Sequence, residues 1–515
     1  MSILGTRVVR TEDPRLLTIG GTYTDDLRVP ELARAARVTF VRSPIAHALI
    51  TGIDASAARA EPGVIAVLTV ADMDDLAPPP PDSGMDGTEG APLPLGGKWS
   101  EPLLAIDRVR YVGEPVAIVL TDDSYSGEDA AALVSVDYEP LPAVVGFDAA
   151  LAGESLLFPG TDSNVAVTKA APADSAAFGA CEVVVSRTIV NQRLAPVPME
   201  GRAAAAVWAD GKLTFWVSTQ NAQIARFILA GALGLDPASI RVVAPDVGGG
   251  FGAKVGIDRD AITVAWAAKH TGRALRWTET RSENLVGMTH GRAQRHEITI
   301  GGSADGRIAA YRLDVLQDTG AYPRMGGFLP NLTNLMAVGP YDIGHVEVGY
   351  RVAVTNTTPI SAYRGAGRPE ATAAIERAVD LFAAEIGKDP AEVRRINLIA
   401  PDKFPHTTPT GAQYDSGDYA RALDRVLAGG GYAELRAEQA RRREAGDPVQ
   451  LGIGLASYVE ITAADAAGGE TARLDVHEDG TATVYTGSSA HGQGHHTAWA
   501  MLVESELGSR WTRSP

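Results

Sequence analysis

The stretch IRVVAPDVGGGFGAKVGIDRDAITVAWAAKHTG, residues 240–272, is the most informative part of the chain. Its apolar start predicts a strand, its glycines predict a tight turn, and residues 258–272 predict a helix that this turn opens. Glycines at such a junction let backbone N–H groups approach a ligand, and a helix N-terminus favours a bound phosphate. Residues 247–254 are therefore a candidate binding loop, with a turn that binds nothing as the alternative.

The kind of ligand is only partly restricted by this loop. It is not a P-loop, because Lys254 is preceded by alanine and followed by valine instead of by glycine and Ser or Thr. It matches a G-x-G-x-x-A dinucleotide fingerprint loosely through Gly248, Gly250 and Ala253. Residues 266–278 supply no acidic partner for a ribose, so an NAD-binding dehydrogenase remains only an alternative interpretation.

Two further segments place polar groups just before a predicted helix. STQNAQ (218–223) puts Gln220 at a strand end, where its amide could orient a polar ligand or belong to an N-capping cluster. SAYRGAGRPE (361–370) sets Arg364 and Arg368 around two glycines. These arginines could clamp an anion, or they could be solvated residues of a surface turn.

A fourth segment, HGQGHHT (491–497), again has Gly-x-Gly at a helix start. Its His491, His495 and His496 invite a metal interpretation, but no carboxylate or cysteine follows at ligand spacing. A loop that binds phosphate or a polar ring is the simpler interpretation. Four such junctions together suggest one large, phosphate-bearing, heteroaromatic ligand gripped by several separate loops.

The chain divides by pattern into three folded regions of a mixed α+β protein. Residues 1–145 predict a compact α/β domain, interrupted by an exposed Pro- and Gly-rich loop over 77–97, and residues 146–165 are predicted to be a linker. Strands and helices follow over 166–410. A third region, 411–515, predicts two helices, a hairpin turning at Asp479-Gly480 and a final helix.

Composition excludes several classes of function. The chain has 515 residues and a net charge of −17, which argues against nucleic-acid binding. Its single cysteine excludes intramolecular disulfides and any zinc or iron–sulfur site built from its own thiolates. No apolar stretch has the length of a secretory or membrane-spanning segment, so we expect a cytoplasmic protein without a membrane span.

Six strings, in the same order along the chain, resemble the large, molybdenum-binding subunit of the xanthine dehydrogenase and aldehyde oxidase family. The resemblance is closest to the bacterial branch that includes the large chain of aerobic carbon monoxide dehydrogenase. Each string alone is weak, whereas six collinear matches are specific. They are RTEDPRLLTIGGTYTDD (10–26), YVGEPVAIVL (111–120), STQ (218–220), APDVGGGFGAK (244–254), AYRGAGRPE (362–370) and GSSAHGQGHHT (487–497).

The resemblance implies a hammerhead-like α/β domain followed by molybdopterin-binding mixed α+β domains, of which the last is incomplete. It assigns Gln220 and Arg364 to catalysis: Gln220 approaches the apical oxygen of the metal, and Arg364 stabilises charge on the substrate oxygen. The residues that it implies for cofactor binding are Gly249, Gly250, Phe251, Gly252, Arg364, Gly492, Gln493, Gly494 and Thr497. No side chain of the chain is expected to ligate the metal.

The implied cofactor is molybdenum bound to molybdopterin cytosine dinucleotide. The implied reaction is hydroxylation of an aldehyde or N-heteroaromatic carbon, a small-molecule substrate, with oxygen derived from water. Electrons would pass to a [2Fe–2S] small subunit and an FAD-binding medium subunit, in a dimer of heterotrimers.

The sequence departs from the family pattern at two positions that bear on the substrate. The carbon monoxide enzymes have a copper-binding cysteine directly after the loop arginine, whereas this chain has Gly365 and its only cysteine is Cys181, in an unrelated strand. Purine-oxidising relatives have a glutamate after the loop lysine, where this chain has Val255. Carbon monoxide and purines are therefore disfavoured.

A third departure concerns the C-terminus. The general-base glutamate of the family lies in a later string, and residues 509–515, SRWTRSP, do not continue the expected strand. The sequence therefore predicts a truncated, frameshifted or split subunit, about two-thirds of a larger chain. The alternative is an inactive remnant or assembly half of such a subunit.

Overall fold

The computed structural model describes residues 3–74, 76, 99–171, 175–461 and 471–508. The loop predicted over 77–97 lies outside the described residues. No helix in the described ranges has both the length and the apolar character needed to cross a membrane.

The described elements are mixed helices and strands along the whole chain. The N-terminal part contains α1 Asp13–Thr18, β1 Ala36–Arg42, β2 Ala48–Asp54, α2 Ser56–Ala60, β3 Val64–Thr69, β4 Arg108–Val109, β5 Pro115–Thr121, α3 Ser126–Ala132, β6 Ser135–Pro140 and α4 Phe147–Ala152. The middle part contains β7 Val165–Lys169, α5 Ser175–Gly179, β8 Val183–Asn191, β9 Ala203–Ala209, β10 Lys212–Val217, α6 Ala222–Leu233, β11 Ile240–Val243, α7 Arg259–Thr271, β12 Leu275–Thr278, α8 Arg281–Gly287, β13 Gln294–Gly302, β14 Ile308–Asp318, α9 Leu329–Leu335, β15 His345–Ala353, α10 Arg368–Glu385 and α11 Pro390–Asn397. The C-terminal part contains β16 His406–Thr407, β17 Gln413–Tyr414, α12 Tyr419–Gly429, α13 Tyr432–Glu444, β18 Ala472–Val476, β19 Ala482–Thr486 and α14 His495–Leu507.

One seven-stranded sheet joins the N-terminal and middle parts, in the order β11-β10-β9-β12-β1-β5-β3. The join is a parallel pairing of β1 with β12, in which Ala36 lies opposite Leu275. Helix α7 packs on this sheet and is buried over most of its length, with Trp266 fully buried. The two parts therefore share one hydrophobic core.

A second, five-stranded sheet has the order β7-β15-β14-β13-β8. Helix α10 covers it, and Ile375, Val379 and Phe382 form a core with Ile298 and Leu313 of the sheet. The remaining sheets are β4-β2-β6 and the hairpins β16-β17 and β18-β19.

Helix α7 confirms the helix predicted over 258–272, but the glycines of the binding loop do not lie at its start. The helix begins only at Arg259, where Asp258 caps it by accepting a hydrogen bond from the amide of Ala261. The glycines of residues 248–250 therefore have no helix N-terminus behind them. This geometry contradicts the dinucleotide fingerprint and with it the NAD-binding alternative.

Residues 146–165 are packed rather than extended. They contain α4, and Leu157 and Phe158 are buried beside Tyr111 and Tyr322, with the Phe158 ring centroid 5.8 Å from that of Tyr322. Leu157 and Phe158 stand in a stretch without helix or strand periodicity, so the sequence pattern did not indicate that they would be buried.

Two other details differ from the sequence expectations. The sequence around 320–345 shows no helix or strand pattern, but helix α9 lies there, and its Leu329 and Thr333 are buried. Cys181 lies in the turn between α5 and β8 and not within a strand. Both features are short, and tertiary packing determines the structure of such short segments more than the local sequence pattern does.

A buried ion network ties the sheet to the start of α7. Arg202 lies before β9, 2.7 Å from Glu279 (Nε to Oε2) and 2.9 Å from Asp260 (Nη1 to Oδ2), and it also pairs with Asp258. Arg42 at the end of β1 reaches Asp260 at 3.1 Å (Nη2 to Oδ2). Burial opposes ionisation of Asp260, but the two arginines outweigh it and lower its pKa to about 2. The network therefore contributes stability that is lost as the pH falls from the ordinary pKa of 3.8 towards 2.

We expect Arg202→Met to destabilise the protein strongly, because it removes the cation paired with the buried carboxylate of Glu279 and one of the two arginines paired with Asp260. Removing one partner of a buried pair costs about 3–5 kcal/mol, which urea unfolding followed by circular dichroism measures as a lower midpoint. The matched control is Arg441→Met, which removes an exposed ion pair with Glu438. An equal shift for both variants would contradict a special role for the network.

Candidate active site

The parallel pairing of β10 with β11 brings two of the predicted segments together. Both strands run in the same direction, with Trp216 opposite Val243, so both end at the same edge of the sheet. Residues 218–220 follow the first strand and residues 244–254 follow the second. The sheet therefore places Gln220 beside the glycine-rich loop.

Gln220 is held by that loop through both backbone and side chain. Its backbone N–H donates to the carbonyl oxygen of Lys254 at 2.8 Å. Its Oε1 accepts from the amides of Gly252 at 2.8 Å and Lys254 at 3.3 Å. The carbonyl end of the side chain is thus fixed, and the Nε2 donor points away from the loop contacts.

Glycine is required in the loop by close packing. A Cβ at Gly250 would lie 2.4 Å from Oε1 of Gln220, and one at Gly252 would lie 3.1 Å from the carbonyl oxygen of Ala362. Between them Phe251 has a φ of 54° and is partly exposed. The loop therefore contacts the Gln220 segment on one side and the Arg364 segment on the other.

A buried ion pair below this loop had no signal in the sequence. Nζ of Lys254 lies 2.8 Å from the carbonyl oxygen and 3.1 Å from Oε2 of Glu200. The same carboxylate oxygen accepts from the amide of Gly248 at 2.8 Å and from the hydroxyl of Ser218 at 2.6 Å. Burial lowers the pKa of Lys254, and Glu200 opposes that shift. A lone glutamate before an alanine-rich strand gives no pattern from which this role could be read.

The Arg364 loop lies across the glycine-rich loop from Gln220. Gly365, Ala366 and Gly367 all have a positive φ, so the chain turns tightly before α10 begins. The side chain of Arg364 is exposed, and no acceptor within residues 99–171, 175–461 or the other described ranges takes a hydrogen bond from its guanidinium. Arg368 instead pairs with Glu460, through Nε and Oε1 at 2.7 Å.

The loop 491–497 reaches Gln220 through one histidine. Nε2 of Gln220 lies 3.3 Å from Nε2 of His491, and Nε2 of Gln493 lies 2.7 Å from the same ring nitrogen. Nδ1 of His491 lies 3.2 Å from the carbonyl oxygen of Ser489, which assigns the donor role to Nδ1 and the acceptor role to Nε2. Burial lowers the pKa of His491, consistent with a neutral ring.

Residues 10–12 of the N-terminal segment contact the loop 491–497. The hydroxyl of Thr497 donates to Oε2 of Glu12 at 2.5 Å, and Nη2 of Arg10 donates to the carbonyl oxygen of Gly492 at 3.4 Å. A Cβ at Gly494 would lie 3.1 Å from Nε of Arg10. Burial opposes ionisation of Glu12, but its hydrogen bonds, chiefly with Thr497, outweigh this and lower its pKa to about 2. The cofactor roles predicted for Gly492, Gln493, Gly494 and Thr497 stay predictions.

The three histidines of this loop do not converge. His491 faces Gln220, whereas the ring of His495 lies 5.5 Å from that of Trp499. Among the residues that the structure describes, no group of three or more His, Cys, Asp or Glu side chains has the arrangement of a metal site.

The site fits a large anionic ligand that brings its own metal. The backbone amides of residues 249–251 donate to no acceptor in the described part of the chain. With Nε2 of Gln220 and the guanidinium of Arg364, they offer a set of donors to oxygen or sulfur atoms. The nearby carboxylate of Glu200 is neutralised by Lys254. These donors suit an anionic ligand at the glycine-rich loop.

Three protein-family models match the chain. Residues 20–142 match the model described as aldehyde oxidase and xanthine dehydrogenase, a/b hammerhead domain. Residues 157–398 and 425–513 match two models described as molybdopterin cofactor-binding domain. This order confirms the predicted fold class, a hammerhead domain followed by molybdopterin-binding domains.

Curated relatives and a solved structure agree with these matches. The chain is 35% identical to the nicotine 6-hydroxylase large subunit of Paenarthrobacter nicotinovorans, over 98% of this chain and 63% of that protein. It is 33% identical to the carbon monoxide dehydrogenase large chain of Hydrogenophaga pseudoflava, over 98% of this chain and 65% of that protein. The structure of quinoline 2-oxidoreductase from Pseudomonas putida 86 superposes with a TM-score of 0.88 at 32% identity, over 97% of this chain and 64% of that chain.

The chain thus spans a little under two-thirds of the length of these relatives. Within that span the matches are collinear and include all four loops of the site. The chain belongs to the xanthine dehydrogenase and aldehyde oxidase family, as one of its molybdopterin-binding large subunits.

Proposed function

We propose that this chain is the cofactor-binding large subunit of a molybdenum hydroxylase that oxidises an N-heteroaromatic or aldehyde carbon with oxygen from water. The observation that carries the proposal is the packing of the glycine-rich loop between Gln220 and the Arg364 loop: Gly252 donates to Oε1 of Gln220 and lies against the carbonyl of Ala362. The amides of residues 249–251 and the guanidinium of Arg364 have no acceptor in the described part of the chain. When bound, the molybdenum cofactor supplies the oxygen transfer and accepts the two electrons.

The chain's own residues bind, orient and stabilise charge. The amides of residues 249–251 donate to the cofactor, and Gln220, whose Oε1 is already fixed by Gly252, presents its Nε2 to the same group. Arg364 stabilises negative charge on the substrate oxygen, because a cation held where charge develops binds the transition state more tightly than the ground state.

The names of the relatives support an N-heteroaromatic substrate in particular. Two of them are a nicotine 6-hydroxylase and a quinoline 2-oxidoreductase, whose named substrates contain a nitrogen heteroaromatic ring. Gly365 provides no thiolate for the copper of a carbon monoxide enzyme, and Val255 provides no carboxylate for a purine.

Three further expectations from the sequence are part of this proposal. They are the cytosine dinucleotide form of the cofactor, the iron–sulfur and FAD subunits in a dimer of heterotrimers, and a cytoplasmic location. The domain organisation 1–145, 166–410 and 411–515 is also proposed, and the family matches over 20–142, 157–398 and 425–513 support it.

Gly250→Ala is expected to abolish cofactor loading, since its Cβ would collide with Oε1 of Gln220 and displace the loop amides. Molybdenum by mass spectrometry and released pterin nucleotide by chromatography measure this, in the complex purified from the native host. Gly231→Ala is the matched control, because its Cβ meets no atom within 4 Å on helix α6. Wild-type protein without molybdenum or pterin would contradict the proposed function itself.

Arg364→Met should lower kcat/KM by about 100- to 1,000-fold, the usual effect of removing one group that stabilises a developing oxyanion. Rates are expressed per bound molybdenum, because Arg364 is also predicted to bind the cofactor. Arg377→Met, at an exposed position of α10, should keep full activity. Equal rates for Arg364→Met and Arg377→Met would remove Arg364 from catalysis.

The substrate class is tested by substrate-dependent dye reduction with the same complex. We expect reduction with quinoline or nicotine, or with benzaldehyde, and none with carbon monoxide or xanthine. Reduction by carbon monoxide alone would overturn the substrate argument built on Gly365.

A further inference from the structure

The Arg364 loop is supported from behind by residues 290–293, which nothing in the sequence marked. The amide of His290 donates to the carbonyl oxygen of Pro359 at 3.0 Å, and its carbonyl accepts from the amide of Ser361 at 2.8 Å. At the next position a Cβ on Gly291 would lie 2.3 Å from Cβ of Tyr363. The two backbones therefore approach more closely than any residue but glycine permits.

Arg292 forms the most direct connection. Its buried guanidinium donates from Nη1 to the carbonyl oxygen of Tyr363 at 3.1 Å and from Nη2 to that of Arg364 at 2.6 Å. Nη1 also lies 3.3 Å from Oε1 of Glu370, which is buried at the start of α10. The guanidinium carbon lies 4.8 Å from the centre of the Tyr363 ring. A planar fork can hold two successive carbonyls in one orientation, which a lysine cannot do.

The backbone that presents Arg292 is strained. Arg292 and Ala293 have φ values of 65° and 62°, so two consecutive residues with a Cβ adopt the left-handed conformation. Nε2 of the fully buried Gln317 donates to both of their carbonyl oxygens, at 2.9 and 3.2 Å. Strain that the surroundings enforce in this way is concentrated at functional sites, and here it directs the guanidinium at the Arg364 loop.

The loop itself needs such support. Its residues 365–367 all have a positive φ, including Ala366, and its own backbone contacts are two short turns, from the amide of Ala366 to Tyr363 at 2.7 Å and from that of Arg368 to Gly365 at 3.3 Å. The side chain of Arg364 has no acceptor in the described ranges that could orient it. Its direction is therefore set through its backbone, and Arg292 fixes that backbone at the carbonyl of Arg364 itself.

We propose that Arg292, neutralised by Glu370, is a positioning residue that sets the orientation of Arg364 for catalysis. The inference rests on the proposed function, which assigns Arg364 to the substrate oxygen. Arg292 touches neither substrate nor cofactor and acts only through the loop.

The test is a double-mutant cycle in the complex purified from the native host, with rates expressed per bound molybdenum. Arg292→Met should lower kcat/KM by about 10- to 100-fold, because a displacement of about 1 Å at a reacting group costs up to about 100-fold. In the Arg364→Met background the same change should have no further effect, because the group through which Arg292 acts is gone. Additive losses would show an effect independent of Arg364 and would overturn the proposal.

A second readout does not depend on activity. Hydrogen exchange of the amides of Ala366 and Arg368 should become about tenfold faster or more in Arg292→Met, because the loop loses charge-assisted hydrogen bonds. Arg295→Met is the matched control: Arg295 lies at the start of β13, three residues after Arg292, pairs with the exposed Asp148 and should leave these amides unchanged. Equal exchange in the two variants would also overturn the proposal.

Arg292→Lys covers the case in which the methionine variant does not fold. An ammonium can reach one carbonyl but not both, so kcat/KM should fall to a value between those of wild type and Arg292→Met. Wild-type kinetics in the lysine variant would contradict a role for the fork. The proposed function fails separately, through wild-type complex that lacks molybdenum or does not oxidise the substrates named above.

Discussion

The arrangement of the site depends on the parallel pairing of β10 with β11. Parallel neighbours end at the same sheet edge, and this alone brings Gln220 next to a loop that begins more than twenty residues later. Once adjacent, the two segments are locked by hydrogen bonds from the amides of Gly252 and Lys254 to one side-chain oxygen. A one-residue shift in register would move Gln220 to the other face and leave the glycine loop without a partner.

The glycine-rich loop and the Arg364 loop are stabilised in a similar way. Each contains or contacts a buried cation that donates to backbone carbonyl oxygen and is neutralised by one glutamate. Lys254 of the glycine-rich loop pairs with Glu200 and donates to its carbonyl. Arg292 behind the Arg364 loop pairs with Glu370 and donates to two loop carbonyls. Each pair holds main chain in place without adding net charge to the site. The cost of burying each cation is offset by hydrogen bonds to carbonyls as well as by its carboxylate, which suits the precise placement of a loop better than apolar packing does.

The fold class and the segments that form the site could be predicted from the sequence, because glycine-rich junctions such as 247–254 and 361–370 mark tight turns beside polar side chains. The supporting residues could not. Glu200 and Arg292 are single polar residues without a spacing pattern, and their partners are distant in the chain. The predicted helix 258–272 agrees with α7, whereas the separation of the glycines at 248–250 from its cap, Asp258, is a feature of the fold without a sequence pattern.

The pairing of β1 with β12 has a consequence for how the polypeptide is made. Ala36 finds its parallel neighbour Leu275 only after about half of the middle part, from β7 to α7, has been synthesised. Until then the ribosome-bound chain carries β1 and β5 as an incomplete sheet with an open edge, which neighbouring nascent chains could pair with. Contacts this distant in sequence also slow folding. The hammerhead region is therefore not a portable unit: exchanging it between relatives would also require a compatible β12.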